Sequence, residues 1–365
     1  MRLAFLLLLF PCLSQAQSSL GLEANYMGGK LFRHTAKFTA PVPAYSQAAE
    51  LSLVWQTNGA KAWQQRRRYP VWGLGMMLTD YGDRGVLGYA IAAYPHLEIP
   101  LIKGQRLEWT FRAGFGIAYL SRPYSRAPQW DTLNNAIGGH LNNFTLFTTA
   151  LRYKISNRLE IQTGLNFSHS SNAAYQQPNL GLNMYGAHAG LRYFPDGRVQ
   201  ERPAATAPRL RNRFLAQARL GFAFNEMGTT AGPVYGAYLA SLYASYRYHS
   251  DNKILLGTDY SYHNSIYAFL RNNEILPGEE KKHAWKGAVF AGHEWLFGSF
   301  GIIAQVGVYY HQAYLRRAPY YQKLGGQVYL LQNERGALKE LFVYGTLKTH
   351  LTQAELAEFG VGVGL

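Results

Sequence analysis

An all-β fold of the outer-membrane type, a transmembrane antiparallel β-barrel, is what the sequence predicts. Three observations predict it. The chain opens with an export-type leader. After residue 16 no apolar run approaches the ~20 residues of a membrane helix, yet the chain carries 27 Tyr, 19 Phe and 7 Trp with only 16% charged residues. Finally, strand after strand of about 10 residues alternates apolar and polar side chains, as a wall with lipid on one side requires.

In MRLAFLLLLFPCLSQAQSS, Arg2 is the basic n-region, Leu3 to Phe10 the apolar core, and Ser14-Gln15-Ala16 a small-residue cleavage site. Residues 1–16 therefore read as a signal peptide. Cys12 is preceded by Leu9-Phe10-Pro11, which lacks the small residues of a lipidation site. Cutting after Ala16 removes the only cysteine, so the mature chain has no disulfide or thiol chemistry.

The alternating segments of the first half are 19–27, 50–57, 70–80, 87–98, 107–120, 143–154, 159–171 and 181–194. Those of the second are 212–225, 236–248, 253–265, 284–296, 300–312, 322–333, 340–351 and 355–365. No segment shows a strong helical period. This count favours one barrel of 14–16 strands. The alternative is an eight-stranded barrel over residues 18–195 followed by a second strand set. In domain terms, 17–195 is one half, 196–211 a polar, Pro/Ala-rich linker or long periplasmic turn, and 212–365 the other half. Long connections at 28–49 and 121–142 are expected outside the cell. Short ones at 102–106 and 156–158 are expected to be periplasmic, although 58–69 is longer than a turn.

The net charge is +15. An exported barrel has little opportunity to meet nucleic acid, so the basic balance points to the phosphorylated glycolipid of an outer leaflet. Arg66-Arg67-Arg68 reads as a solvated loop. The eleven histidines include no HExxH or other paired metal spacing, so neither a catalytic metal nor another cofactor is expected.

The segment LEIQTGLNFSHSS (159–171) places Leu159, Ile161, Thr163, Leu165 and Phe167 on one face, and that face continues to His169 and Ser171. Same-face neighbours on a strand lie ~6.5–7 Å apart, within reach of a bond between imidazole and hydroxyl. A serine nucleophile needs that geometry from its general base. A histidine of the interfacial belt, with Ser171 merely starting a loop, satisfies the same periodicity. In the next strand Asn183, Tyr185, Ala187, Ala189 and Leu191 share a face, which puts Asn183 with His169 and Ser171 on the lipid side. Polar groups on that face are costly.

The run HSSNAAYQQPNLGLN (169–183) resembles the signature of the outer-membrane lipid A 3-O-deacylases, the PagL family: His-x-Ser-Asn, a short loop with Pro-Asn, and an acid fourteen positions after the His. His169, Ser171, Asn172, Pro178 and Asn179 match in order and spacing. The likeness spans residues 18–195 and concentrates in 165–185. AIGGHLNNF (136–144) and LKTHLTQAE (347–355) also look like longer acyloxyacyl hydrolases of this family. The resemblance implies an outer-membrane esterase that removes an ester-linked acyl chain from lipid A, the lipid anchor of lipopolysaccharide, at a site on the barrel's exterior.

On this reading Ser171 is the nucleophile, His169 the base and Asn183 the orienter. Asn183 is a departure, because well-known members of the family carry a Glu there and no acid occurs in 172–195. An Asn carbonyl can fix the histidine tautomer but supplies no charge to imidazolium. In one serine protease an Asp→Asn change in this role costs ~10⁴ in rate. Backbone N–H groups from Asn172 to Ala174, with Asn179, are the expected oxyanion donors. Ala174 stands where the family often has Gly.

Three other histidines attract weaker readings. His263 and Ser265 face the lumen and read as structural. His140 reads as a loop residue near the outer end, and His350 has no partner identifiable from sequence. A non-enzymatic channel or scaffold with a degenerate motif is the competing function. Sixteen strands in one barrel would leave a wide lumen, whereas two sets of eight would be filled by side chains.

Overall fold

The computed structural model describes residues 19–125, 132–203, 213–227, 230, 232–351 and 353–365. The expected leader lies outside the described residues, as do 204–211 of the expected connector. The described chain forms two closed eight-stranded barrels.

The first barrel is an up-and-down meander: β1 (Ser19–Leu31), β2 (Ser46–Gln56), β3 (Val71–Asp80), β4 (Tyr89–Lys103), β5 (Leu107–Leu120), β6 (Leu141–Lys154), β7 (Leu159–Ser171) and β8 (Leu182–Tyr193). A one-turn helix, α1 (Ala62–Arg66), lies in the connection that was too long for a turn. The second barrel comprises β9 (Phe214–Glu226), β10 (Val234–His249), β11 (Asn252–His263), β12 (Trp285–Phe297), β13 (Phe300–Gln312), β14 (Tyr320–Gln332), β15 (Glu340–His350) and β16 (Gln353–Gly364). Between β11 and β12 lie helices α2 (Asn264–Asn272) and α3 (Glu280–His283).

All sixteen expected strands are present, but the expectation of one barrel of 14–16 strands is corrected to the two-set alternative. Strand β1 pairs with β8 from Leu22↔Tyr193 to Leu31↔Met184, and β16 pairs with β9 from Ala357↔Phe224 to Gly364↔Gln217. Alternation says which residues form strands and which way they face. It does not say which edges meet. The first seam is built for close approach: a Cβ on Gly29 would sit 2.1 Å from the Tyr185 carbonyl oxygen. The absence of helices is also corrected. In α2, Ile266 and Leu270 are one turn apart and pack with Ala284, a periodicity too short to stand out in the sequence.

Each barrel turns an apolar face outward. Leu51, Met76 and Leu165 are 68%, 60% and 64% exposed, which is the pattern of a lipid-facing band. The interior of the first barrel is filled by a buried ionic network. Arg112 reaches Glu50 and Glu98 (3.1 Å each) and also Glu23. Arg152 binds Glu98 (2.7 Å) and Arg192 binds Glu23 (2.5 Å). An eight-stranded lumen is only wide enough for side chains, so a channel that depended on a wide sixteen-stranded lumen has no such lumen here.

Candidate active site

The β7–β8 hairpin brings the three expected residues together. His169 and Asn183 are direct register partners, so their side chains project from the same face at the end of both strands. His169 Nε2 lies 2.9 Å from Ser171 Oγ, and His169 Nδ1 lies 2.7 Å from Asn183 Oδ1. An amide oxygen can only accept, so His169 carries its proton on Nδ1 and leaves Nε2 free to take the hydroxyl proton. Below the triad on the same face, Leu165, Phe167 and Tyr185 are exposed, whereas Ser171 itself is buried.

One residue at this site was not foreseen. His34, just past the end of β1, accepts a hydrogen bond from Asn183 Nδ2 at 2.9 Å. Phe32 N–H donates to the Asn183 carbonyl at 2.8 Å and ties this end of β1 to the start of β8. The His34 contact matters because Asn183 is an amide. Turned over, it would present its NH₂ to His169 Nδ1 and enforce the wrong tautomer. An acceptor at Nδ2 holds the productive orientation.

The connection from β7 to β8 is anchored by the loop before β6. Gly181 N–H donates to the Ala136 carbonyl at 2.9 Å, and Ile137 bridges to Asn179. Gly181 has φ +84°, and a Cβ there would stand 2.7 Å from His169 Cε1. Gly181→Ala is therefore expected to displace the imidazole and lower ester hydrolysis by about 10²-fold, the usual cost of misplacing a reacting group by an ångström. Kinetic assay beside the heat-modified gel shift of folded barrel checks this, with the shift retained.

The expected oxyanion donors are only partly available. The Asn172 backbone N–H is already donated to Asn179 Oδ1 at 2.8 Å, which argues against that amide as a donor. Asn172 Oδ1 accepts from Gln176 N–H at 3.2 Å, while its Nδ2 is buried with no hydrogen-bond partner among the described residues. Ala173 and Ala174 hold left-handed φ of 55° and 65°. That conformation costs an alanine roughly 1–2 kcal/mol and is natural for the Gly expected at 174.

The remaining histidines lie elsewhere. His140 Nδ1 bonds the Leu120 carbonyl at 2.7 Å, and its ring stacks on Tyr119. His263 Nε2 pairs with Ser261 Oγ at 2.9 Å, not with Ser265, which belongs to α2. His350, for which the sequence suggested no partner, bonds Glu355 Oε2 at 3.0 Å and the Tyr320 carbonyl at 3.0 Å. His350 pairs with Gln353 across β15 and β16, and the register shift between Lys348 and Thr349 leaves Glu355 as the extra residue beside this pair.

Comparison with known proteins adds a second line of observation. Residues 47–192 match the family model described as lipid A 3-O-deacylase (PagL), and residues 212–365 match the one described as acyloxyacyl hydrolase, C-terminal domain. None of the curated proteins matches the chain. Among solved structures, the outer membrane enzyme PagL is 19% identical, with a TM-score of 0.32 over 46% of this chain and 97% of that one. Neisserial surface protein A is 8% identical, with a TM-score of 0.34 over 49% and 99%. A mutant of the Rh. blastica porin is 11% identical, with a TM-score of 0.20 over 96% and 100%.

Proposed function

The chain belongs to the family of lipid A 3-O-deacylases (PagL) and acyloxyacyl hydrolases, and we propose that this outer-membrane ester hydrolase cleaves an acyl ester of lipid A through Ser171, His169 and Asn183 on the lipid-facing side of its first barrel. The observation that carries the proposal is the unbroken relay Ser171–His169–Asn183, at 2.9 and 2.7 Å, on the outward face at a strand end.

Ser171 Oγ attacks the ester carbonyl carbon as His169 Nε2 takes its proton. The tetrahedral oxyanion is met by donors that follow the nucleophile: Asn172 Nδ2, the Ala174 N–H, and Asn179 Nδ2, whose own oxygen is held by Asn172. Collapse breaks the bond to the sugar oxygen, which leaves with the proton from His169. An acyl-Ser171 ester remains. Water, deprotonated by His169, attacks it and releases the fatty acid, and the proton returns to Ser171. The exposed Leu165, Phe167 and Tyr185 below the triad offer the acyl chain an apolar track outside the barrel.

Asn183 orients His169 but contributes no charge to imidazolium, and His34 acts as a positioning residue through Asn183. Two kinetic predictions follow from this division of roles. Asn183→Glu is expected to raise kcat on lipid A in detergent micelles by adding the missing charge. His34→Ala is expected to lower kcat about tenfold, the worth of one buried hydrogen bond, with KM unchanged. In an Asn183→Glu background His34→Ala is expected to cost little, because a carboxylate has no amide to orient. Equal losses in both backgrounds would overturn the positioning role of His34, and a fall in kcat on Asn183→Glu would overturn the assignment of Asn183.

A further inference from the structure

The second barrel holds a cavity of about 330 Å³ at the end that carries its longer connections. The charged side chains lining it are Lys286, the partly exposed Arg317, the exposed Arg316 and Glu355. Lys286, Arg317 and the buried Lys348 share the single carboxylate of Glu355, an excess of two positive charges. Glu355 is already crowded: Lys286 Nζ lies at 2.8 Å, Lys348 Nζ at 3.2 Å and Arg317 Nε at 4.0 Å. The next layer of the lumen is balanced: Lys323 bonds both Asp259 and Glu358 at 2.8 Å, and the buried Arg219 guanidinium stands near the same two carboxylates. The cation excess is thus local to the cavity. Buried charge without a counter-charge is unfavourable, so a site of this composition is completed by an anion.

Two further features face the same space. Ser265 and Ile266, in the first turn of α2, line the cavity. His263 at the N-cap of this nine-residue helix provides no side-chain cap, and the first turn contains no acid. Its open N–H groups and the positive end of the helix dipole favour negative charge. Ser265 is only 6% exposed, and among the described residues its hydroxyl has no hydrogen-bond partner.

We propose that this cavity binds a phosphoryl group, held by Lys286, Arg317, the Ser265 hydroxyl and the first-turn N–H groups of α2. A phosphate monoester near neutral pH carries close to two negative charges, which matches the excess; a carboxylate carries one. Its three terminal oxygens suit a set of converging donors. The volume exceeds that of a bare phosphate and admits an attached group the size of one sugar, so the phosphoryl group belongs to a lipid headgroup or to a free phosphate compound.

Calorimetric titration of the full chain in neutral detergent tests this, using glucose 1-phosphate, inorganic phosphate, glucose and octanoate. Both phosphates are expected to bind, and glucose and octanoate are not. Tighter binding of the ester points to a headgroup; equal binding points to free phosphate. Arg317→Gln is expected to weaken phosphate binding about tenfold and Ser265→Ala several-fold, whereas Ser171→Ala leaves it unchanged. Arg317 is partly exposed and Ser265 is small, so both variants are expected to keep the wild-type melting temperature. Absence of binding by either phosphate overturns the proposal. So does unchanged phosphate affinity in both cavity variants, or binding of octanoate in place of phosphate.

Discussion

Ser171→Ala is expected to lower lipid A deacylation by about 10³–10⁶-fold, and His169→Ala by a similar factor, with the double variant no worse than either alone. The non-additivity is the informative part. A nucleophile and its base act on one proton, so removing either removes the step. The residual rate then reports only binding and oxyanion stabilisation. Steady-state kinetics on purified protein check this, and independent multiplicative losses would contradict a shared proton transfer. The same site predicts covalent trapping: an activated-phosphonate probe should label Ser171 and leave Ser170 and Ser168 unlabelled. All three are buried, so the selectivity comes from activation: it is Ser171 whose hydroxyl is hydrogen-bonded to His169.

The second large effect is on stability and lies inside the first barrel. Arg112 is 2% exposed and bonds Glu23, Glu50 and Glu98. Arg112→Met would leave three buried carboxylates around a thioether. Removing one partner of a buried pair typically costs about 3–5 kcal/mol, and here one guanidinium serves three acids. A lower urea midpoint in detergent is expected. Arg84→Met is the control: Arg84 is 81% exposed beside Asp80, and an exposed pair contributes ~0–1 kcal/mol. Equal effects of the two substitutions would contradict the view that the lumen network holds this barrel together.

What the sequence made legible was local. The alternation through Leu165, Phe167, His169 and Ser171 assigned the outward face, and the register of β7 and β8 places Asn183 on it, opposite His169. A period of two along two strands that follow one another in the chain suffices for that, because it is set by neighbouring residues. What the sequence hid depends on closure. His34 lies 149 residues from Asn183 and reaches it only because β1 pairs with β8. In a single barrel of 14–16 strands, β1 would have met the last strand instead. The miscounted barrel and the overlooked histidine are therefore one omission. The close approach of Gly29 to Gly186 at that seam is the mark of closure after eight strands, and it is intelligible only with both strands in view. The pairing of His350 with Glu355 and the place of Ser265 were hidden differently, at the ends of alternating segments: the segment 253–265 runs on past β11 into α2, which begins at Asn264, and the contact of His350 with Glu355 joins the ends of two neighbouring strands.

The central claim, that Ser171 drives hydrolysis of a lipid A acyl ester, is tested most directly by mass spectrometry of lipid A from cells producing the wild-type chain or Ser171→Ala at equal outer-membrane levels. Lipid A lighter by one acyl chain with the wild type, and unmodified with Ser171→Ala, is the predicted result. The same lipid A in both, whether intact or shortened, would contradict it.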